Sequence, residues 1–183
     1  MKILVCIKQV PDLETTFRPN PEGTWFDEAD IAFQINDCDE YAVEEAVRLK
    51  EKLAGSPDIT VLSIGPERVV GMIKRALAMG ADRGVHIEDA HAYRKDPWQI
   101  ASLIANFARE KNFDLIFTGM QAQDRGSGQI GVIAAELLGL ACATTIVNFE
   151  FSGELCRVRR ELAGGVKGVV ELKLPALLTC QSG

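Results

Sequence analysis

Residues 113–118 read Phe-Asp-Leu-Ile-Phe-Thr and run straight into residues 119–131, Gly-Met-Gln-Ala-Gln-Asp-Arg-Gly-Ser-Gly-Gln-Ile-Gly. The first segment is almost continuously apolar, as a strand is when a parallel sheet buries both its faces. The second is rich in glycine and opens a helical pattern over Ile130 to Leu138. A buried strand, a glycine-rich loop and a helix start form the geometry that presents backbone N–H groups to an anion. The first N–H groups of a helix lack intrahelical partners, and glycine lets a ligand approach the chain closely. Ser127 and Gln129 can add side-chain donors. The plain reading, a glycine-rich turn with no ligand, stands beside this one.

The same alternation extends in both directions. Ile3 to Val10 reads as a strand that Pro11 stops, and residues 11–35 as an irregular excursion or weak hairpin with a small apolar patch at Trp25 and Phe26. Asn36 or Asp37 fits an N-cap. Ala42, Val43, Ala46, Leu49 and Leu53 then recur at helical spacing, ended by Gly55 and Pro57. Ile59 to Ile64 reads as a strand, Gly65-Pro66 opens a helix to about Met79, and Gly84 to Ile87 is another strand. Pro97 sits in the first turn of a helix reaching about Lys111. After Cys142, the runs Thr144–Phe151, Leu155–Arg160, Val169–Leu174 and Ala176–Cys180 read as further strands, with turns at Ser152-Gly153 and Gly164-Gly165. Strands alternating with helices predict an α/β fold: a doubly wound, mostly parallel, Rossmann-like sheet with helices on both faces, plus extra C-terminal antiparallel strands. Ligands bind such sheets beyond the carboxyl ends of the strands at a topological switch point, so the loops after the first, second and fourth strands carry most information.

At 183 residues and 47% hydrophobic content, the chain suits one domain, residues 1–183. Its net charge of −6 argues against nucleic-acid binding. No apolar stretch is long enough to span a membrane and no signal peptide is recognisable, so membrane insertion is not expected. The cysteines (Cys6, Cys38, Cys142, Cys156 and Cys180) are odd in number and form no C-x-x-C pair. They read as reduced thiols in a cytoplasmic setting. With only His86 and His91, neither a metal site nor a catalytic triad is expected. The loop after the first strand, Lys8 to Asp12, holds no glycine, so no G-x-G-x-x-G dinucleotide fingerprint stands there, and G-x-x-x-x-G-K-[ST] and G-x-S-x-G occur nowhere in the chain. Gly65-Pro66 reads equally as room for an adenine or ribose and as a helix start. Cys38 reads as a buried filler before a redox thiol, and Arg157, Arg159 and Arg160 as a basic strand edge, solvated or partner-facing.

Several segments together resemble the beta subunits of electron-transfer flavoproteins. They are residues 3–12 (ILVCIKQVPD), residues 36–51 from Asn36-Asp37-Cys38-Asp39 onward, residues 76–84 (ALAMGADRG), the loop with Gly119-Met120-Gln121-Ala122, Asp124 and Gln129-Ile130-Gly131, and the stretch from Arg160 to Thr179. The last departs from the family signature at Ala163, where an acidic residue is usual. The resemblance implies an electron carrier without bond-making chemistry of its own. It pairs with a FAD-carrying alpha subunit and shuttles electrons between flavin dehydrogenases and an acceptor. It further implies a bound AMP, with a second FAD as the alternative. By position Cys6, Asn36, Asp39, Ile64, Gly65, Gly119, Gln121, Asp124, Gly126, Ser127, Gly128, Gln129 and Ile130 line the nucleotide site, and Leu13 and Cys38 face the flavin of alpha. Family members continue past the position of Gly183 with a dehydrogenase-docking loop and a C-terminal arm, both expected to be missing here. The competing class is a stand-alone adenine-nucleotide-binding regulator of the stress-protein type, whose G-x-x-G loop ahead of G-[ST] is lacking. An ATP-pyrophosphatase would need a Ser-Gly-Gly loop where Lys8-Gln9-Val10 stands.

Overall fold

A computed structural model describes residues 1–24, 26–29, 31–153 and 155–181; Trp25, placed above in an apolar patch, lies outside them. The expected alternation is present as β1 (Lys2–Ile7), α1 (Asp37–Lys52), β4 (Asp58–Gly65), α2 (Val70–Met79), β5 (Arg83–Glu88), α3 (Pro97–Ala108), β6 (Leu115–Gly119) and α4 (Ile130–Leu138). The first predicted strand proves to be two. β1 stops at Ile7, and β2 (Gln9–Pro11) pairs antiparallel with β3 (Phe33–Ile35) in a separate ribbon. The break falls at Lys8 because its N–H donates to the Asp39 carboxylate at 2.8 Å instead of continuing the ladder. Pro11, paired with Phe33, is the last residue of β2, so the strand does end at the proline as expected. The helix expected directly after Pro66 begins with a 3-10 turn at Glu67–Val69.

The chain then adds β7 (Ala141–Ser152), β8 (Leu155–Glu161), β9 (Lys167–Lys173) and β10 (Ala176–Cys180). The large sheet has eight strands in the order β5-β4-β1-β6-β10-β7-β8-β9. From β5 to β7 neighbours run parallel, and β7-β8-β9 is an antiparallel meander. The last strand is thus not an outer addition. β10 returns to the middle of the sheet and is buried along its whole length.

Alternating residues explain the two layers. Ile3, Val5 and Ile7 of β1 and Leu115 and Phe117 of β6 pack with Ala42, Val43 and Ala46 of α1. Leu4, Cys6 and Ile116 pack on the other face with Ala101 and Ile104 of α3 and Ala134 of α4. β1 is central, and the chain leaves it first toward β4 and β5, then crosses back to β6. The loops after β1 and β6 therefore diverge and leave a crevice at the switch point. Among the described residues no helix is long and apolar enough to cross a membrane.

Candidate functional site at the switch point

The crevice holds a cavity of about 420 Å³ at the carboxyl ends of β1, β4 and β6, within the usual range for small-ligand sites. Two buried side chains from the start of α1 position its wall. Asp39 accepts the Lys8 N–H on Oδ2 and the Gly119 N–H on Oδ1, both at 2.8 Å, and so ties the ends of β1 and β6 together. A Cβ on Gly119 would stand 2.1 Å from Asp39 Oδ1, so no other residue fits there without displacing that bond. Asn36 holds the N-cap position of α1, but its side chain makes no cap hydrogen bond. It is fully buried; its Nδ2 donates to Gln121 O and its Oδ1 accepts the Gln123 N–H, both at 2.9 Å. The residue expected to serve its own helix serves the β6–α4 loop instead.

Two helix N-termini face the cavity, and they differ. α3 is closed by a capping box: the Asp96 side chain accepts the Gln99 N–H at 2.8 Å and Gln99 Oε1 accepts the Asp96 N–H at 3.1 Å. α4 has Gln129 at its N-cap with no side-chain cap hydrogen bond. Its first N–H groups and its dipole are left for an anion. Gly126 and Gly128 reach this end with φ of 60° and 63°, a conformation that favours glycine. The opposite wall is apolar, with Leu62, Ile64, Ile100 and Ile104.

Among residues expected at the site, Cys6, Asp39, Ile64, Gly65, Gly119, Gln121, Asp124, Ser127, Gly128, Gln129 and Ile130 line the cavity. Asn36 lies behind the wall, and Gly126 bends the loop without lining it. Gly65 also has a packing reason, since a Cβ there would meet Val69 Cγ1 at 2.7 Å. Leu13 is exposed on the ribbon's loop, and Cys38 is half-buried in α1 next to Gly119; neither lines the cavity. Sequence reasoning missed Lys8, whose Nζ lies 2.6 Å from both Asp124 oxygens across the crevice. It also missed the β5–α3 connection, which brings Tyr93, Lys95 and Asp96 to the rim, and gave Arg125, inside the expected loop, no role of its own. The signal available was the switch-point rule, applied to the third strand's loop as well. The arginines read as one strand edge divide: Arg157 lies 3.6 Å from Glu171, whereas Arg160 grips Thr144 through Nε to O at 2.7 Å and Nη2 to Oγ1 at 2.6 Å.

Burial raises the Asp39 carboxyl to about 7, although the N–H groups of Lys8 and Gly119, the Asn36 amide and the Lys8 charge all pull it down. Burial, and then the neighbouring Asp39 charge, push the Cys6 thiol up. Burial also raises Cys180. These thiols stay protonated and pack as small apolar groups. The arrangement offers a dry apolar wall, an open helix N-terminus and a loop rich in backbone donors, and no activated nucleophile among these thiols. It is built to bind.

A family model described as "Electron transfer flavoprotein domain" matches residues 23–183. The chain is 32% identical over 185 residues to the electron transfer flavoprotein subunit beta of Methylophilus methylotrophus, spanning 100% of this chain and 70% of that protein. Against the subunit beta of Homo sapiens it is 37% identical over 181 residues, 98% of this chain and 70% of that one. Against that of Bradyrhizobium diazoefficiens it is 38% identical over 179 residues, with the same shares covered.

Proposed function

The chain belongs to the electron transfer flavoprotein family, and from that premise we propose that it acts as a beta-type subunit that binds an adenine nucleotide in the switch-point cavity. Its partner in this reading is a FAD-carrying alpha subunit, and the pair moves electrons from flavin dehydrogenases to an acceptor in the cytoplasm. The chain itself makes and breaks no substrate bond. The observation that carries the nucleotide reading is the uncapped N-terminus of α4 opening into a cavity with an apolar wall, beside a second helix whose N-terminus is already capped.

AMP is the nucleotide assigned first, with FAD as the alternative. Leu62, Ile64 and Ile100 offer the apolar surface an adenine needs, and Gly65 lies at its edge. The loop from Gly119 to Ile130, with Ser127 and Gln129 as side-chain donors, receives the phosphate. Each charge-assisted bond there contributes about 1.5–3 kcal/mol, so a few suffice without a metal. AMP supplies no electron chemistry and serves assembly; FAD in its place supplies a second redox centre. Leu13 and Cys38 are assigned to the side that meets the flavin of alpha. The test is to purify the protein with its partner, denature it and identify the released nucleotide by mass. A yellow complex releasing AMP is the expected result. Isolation without a flavoprotein partner and without an adenine nucleotide overturns the reading.

A further inference from the structure

The cationic side chains that line the cavity are Lys8, Arg68, Lys95 and Arg125. The first three are already engaged by carboxylates: Lys8 with Asp124 at 2.6 Å, Arg68 with Glu28 at 2.7 Å and Lys95 with Asp89 at 2.8 Å. Arg125 has no carboxylate partner among the described residues. Its Nη1 donates to the backbone carbonyl of Lys95 at 3.2 Å. That bond draws the guanidinium from the crest of the β6–α4 loop toward the start of α3, across the cavity mouth. The other guanidinium donors meet no protein acceptor among the described residues.

The charges around Arg125 are also spoken for. Asp124, its neighbour in sequence, is matched by Lys8, and Asp96 on the far rim is held in the α3 capping box. An anion entering the mouth therefore meets one uncommitted cation, and that cation shares a short loop with the uncapped N-terminus of α4. A guanidinium is always charged and presents its N–H groups as a planar fork that fits two phosphate oxygens at once. The bond to Lys95 O is long for its type and easily exchanged.

We infer that Arg125 binds the 5′-phosphate of the nucleotide and sets the preference of this site for phosphorylated adenosine over adenosine itself. This rests on the nucleotide reading above, and the test separates the two. The full chain, freed of bound nucleotide by dialysis, is titrated calorimetrically with AMP, FAD and adenosine, alongside the variants R125Q and R125K. AMP and FAD share the 5′-phosphate, and the wild-type titrations show which of them the site takes. For that nucleotide, affinity falls tenfold or more in R125Q, which corresponds to about 1.4 kcal/mol. R125K loses less, because it keeps the charge without the fork. Adenosine binding stays within twofold in both variants. Arg125 is exposed, so the variants fold, and matching thermal melts check this. Unchanged nucleotide affinity in R125Q overturns the assignment, as does an equal loss for adenosine. If the wild-type protein binds none of the three, the nucleotide reading itself fails.

Discussion

The β6–α4 loop is held at its base by buried groups and at its crest by exposed ones. At the base, Asn36 and Asp39 are 0% and 6% exposed and bond backbone N–H and C=O groups at 2.8–2.9 Å. At the crest, Lys8 meets Asp124 and Arg125 meets Lys95 O in contact with water. The base uses neutral or half-neutral side chains on backbone partners, which have no alternative once water is excluded. The crest uses charges that water and salt can satisfy as well as the protein does. The base thus fixes where the loop starts whatever the cavity contains, while the crest can exchange its partners for a ligand.

Removing Asp39 breaks that contrast most sharply. In Asp39→Ala the N–H groups of Lys8 and Gly119 lose their acceptor inside the protein. At about 1–3 kcal/mol for each unsatisfied buried group, the loss is about 3 kcal/mol or more, read as a lower urea midpoint. A loss under about 1 kcal/mol would mean that water reaches both groups and that the base is no more closed than the crest. The same carboxyl makes stability depend on pH. Its folded value of about 7 lies above its ordinary 3.8, so between those limits the folded state keeps a proton that the unfolded state has lost. This contribution is fully present below about pH 4. It falls by up to about 1.4 kcal/mol per pH unit and is gone once the pH exceeds 7. Subtracting the profile of Asp39→Asn from that of the wild type isolates it. A difference that is flat or rises across that window contradicts the assignment.

Much of the fold was legible because its signals are local. Ile3, Val5 and Ile7 alternating with Leu4 and Cys6 announce a strand buried on both faces, and Leu115 to Phe117 do the same. Asp96-Pro97 with Gln99 marks the start of α3. The position of β10 was not legible. Ala176 to Cys180 look like any buried strand, and only pairing across the sheet places them between β6 and β7. The split after Ile7 was hidden for a related reason, since the acceptor that ends the ladder at Lys8 comes from Asp39, far along the chain. At the site, the glycines of the β6–α4 loop and the helix start at Ile130 are readable in place, whereas the lack of a side-chain cap at Gln129 emerges only from the structure. The role of Asn36 is not, because an asparagine before a helix looks the same whether it caps its own helix or reaches across to another loop. Arg125 and the β5–α3 connection meet only after the chain has crossed the sheet.

Asn36→Leu sharpens the comparison at the base with a smaller effect. Leucine has a similar size but offers no bond to Gln121 O or the Gln123 N–H, which lose their partner at the back of the loop. The expected cost is about 2 kcal/mol, with amide exchange at Gln123 faster by a larger factor than the exchange in β1. Equal acceleration in both places would show that Asn36 supports the whole sheet and not the loop.

The smallest effect belongs to the crest. Lys8→Met removes the bridge to Asp124 while keeping most of the stem that packs along the crevice. The Lys8 side chain is 35% exposed and that of Asp124 18%, and pairs so placed contribute about 0–1 kcal/mol. The melting temperature therefore stays within a few degrees of the wild type, and the small difference shrinks further as salt is added. The wild-type bridge should weaken with salt while the Asn36 and Asp39 contacts do not. That gives a direct comparison: the stability lost in Lys8→Met depends on ionic strength and the loss in Asn36→Leu is independent of it. A salt-insensitive loss above about 2 kcal/mol in Lys8→Met would place this pair with the buried groups. The loop would then be clamped at both ends, with no exchangeable crest for a ligand to open.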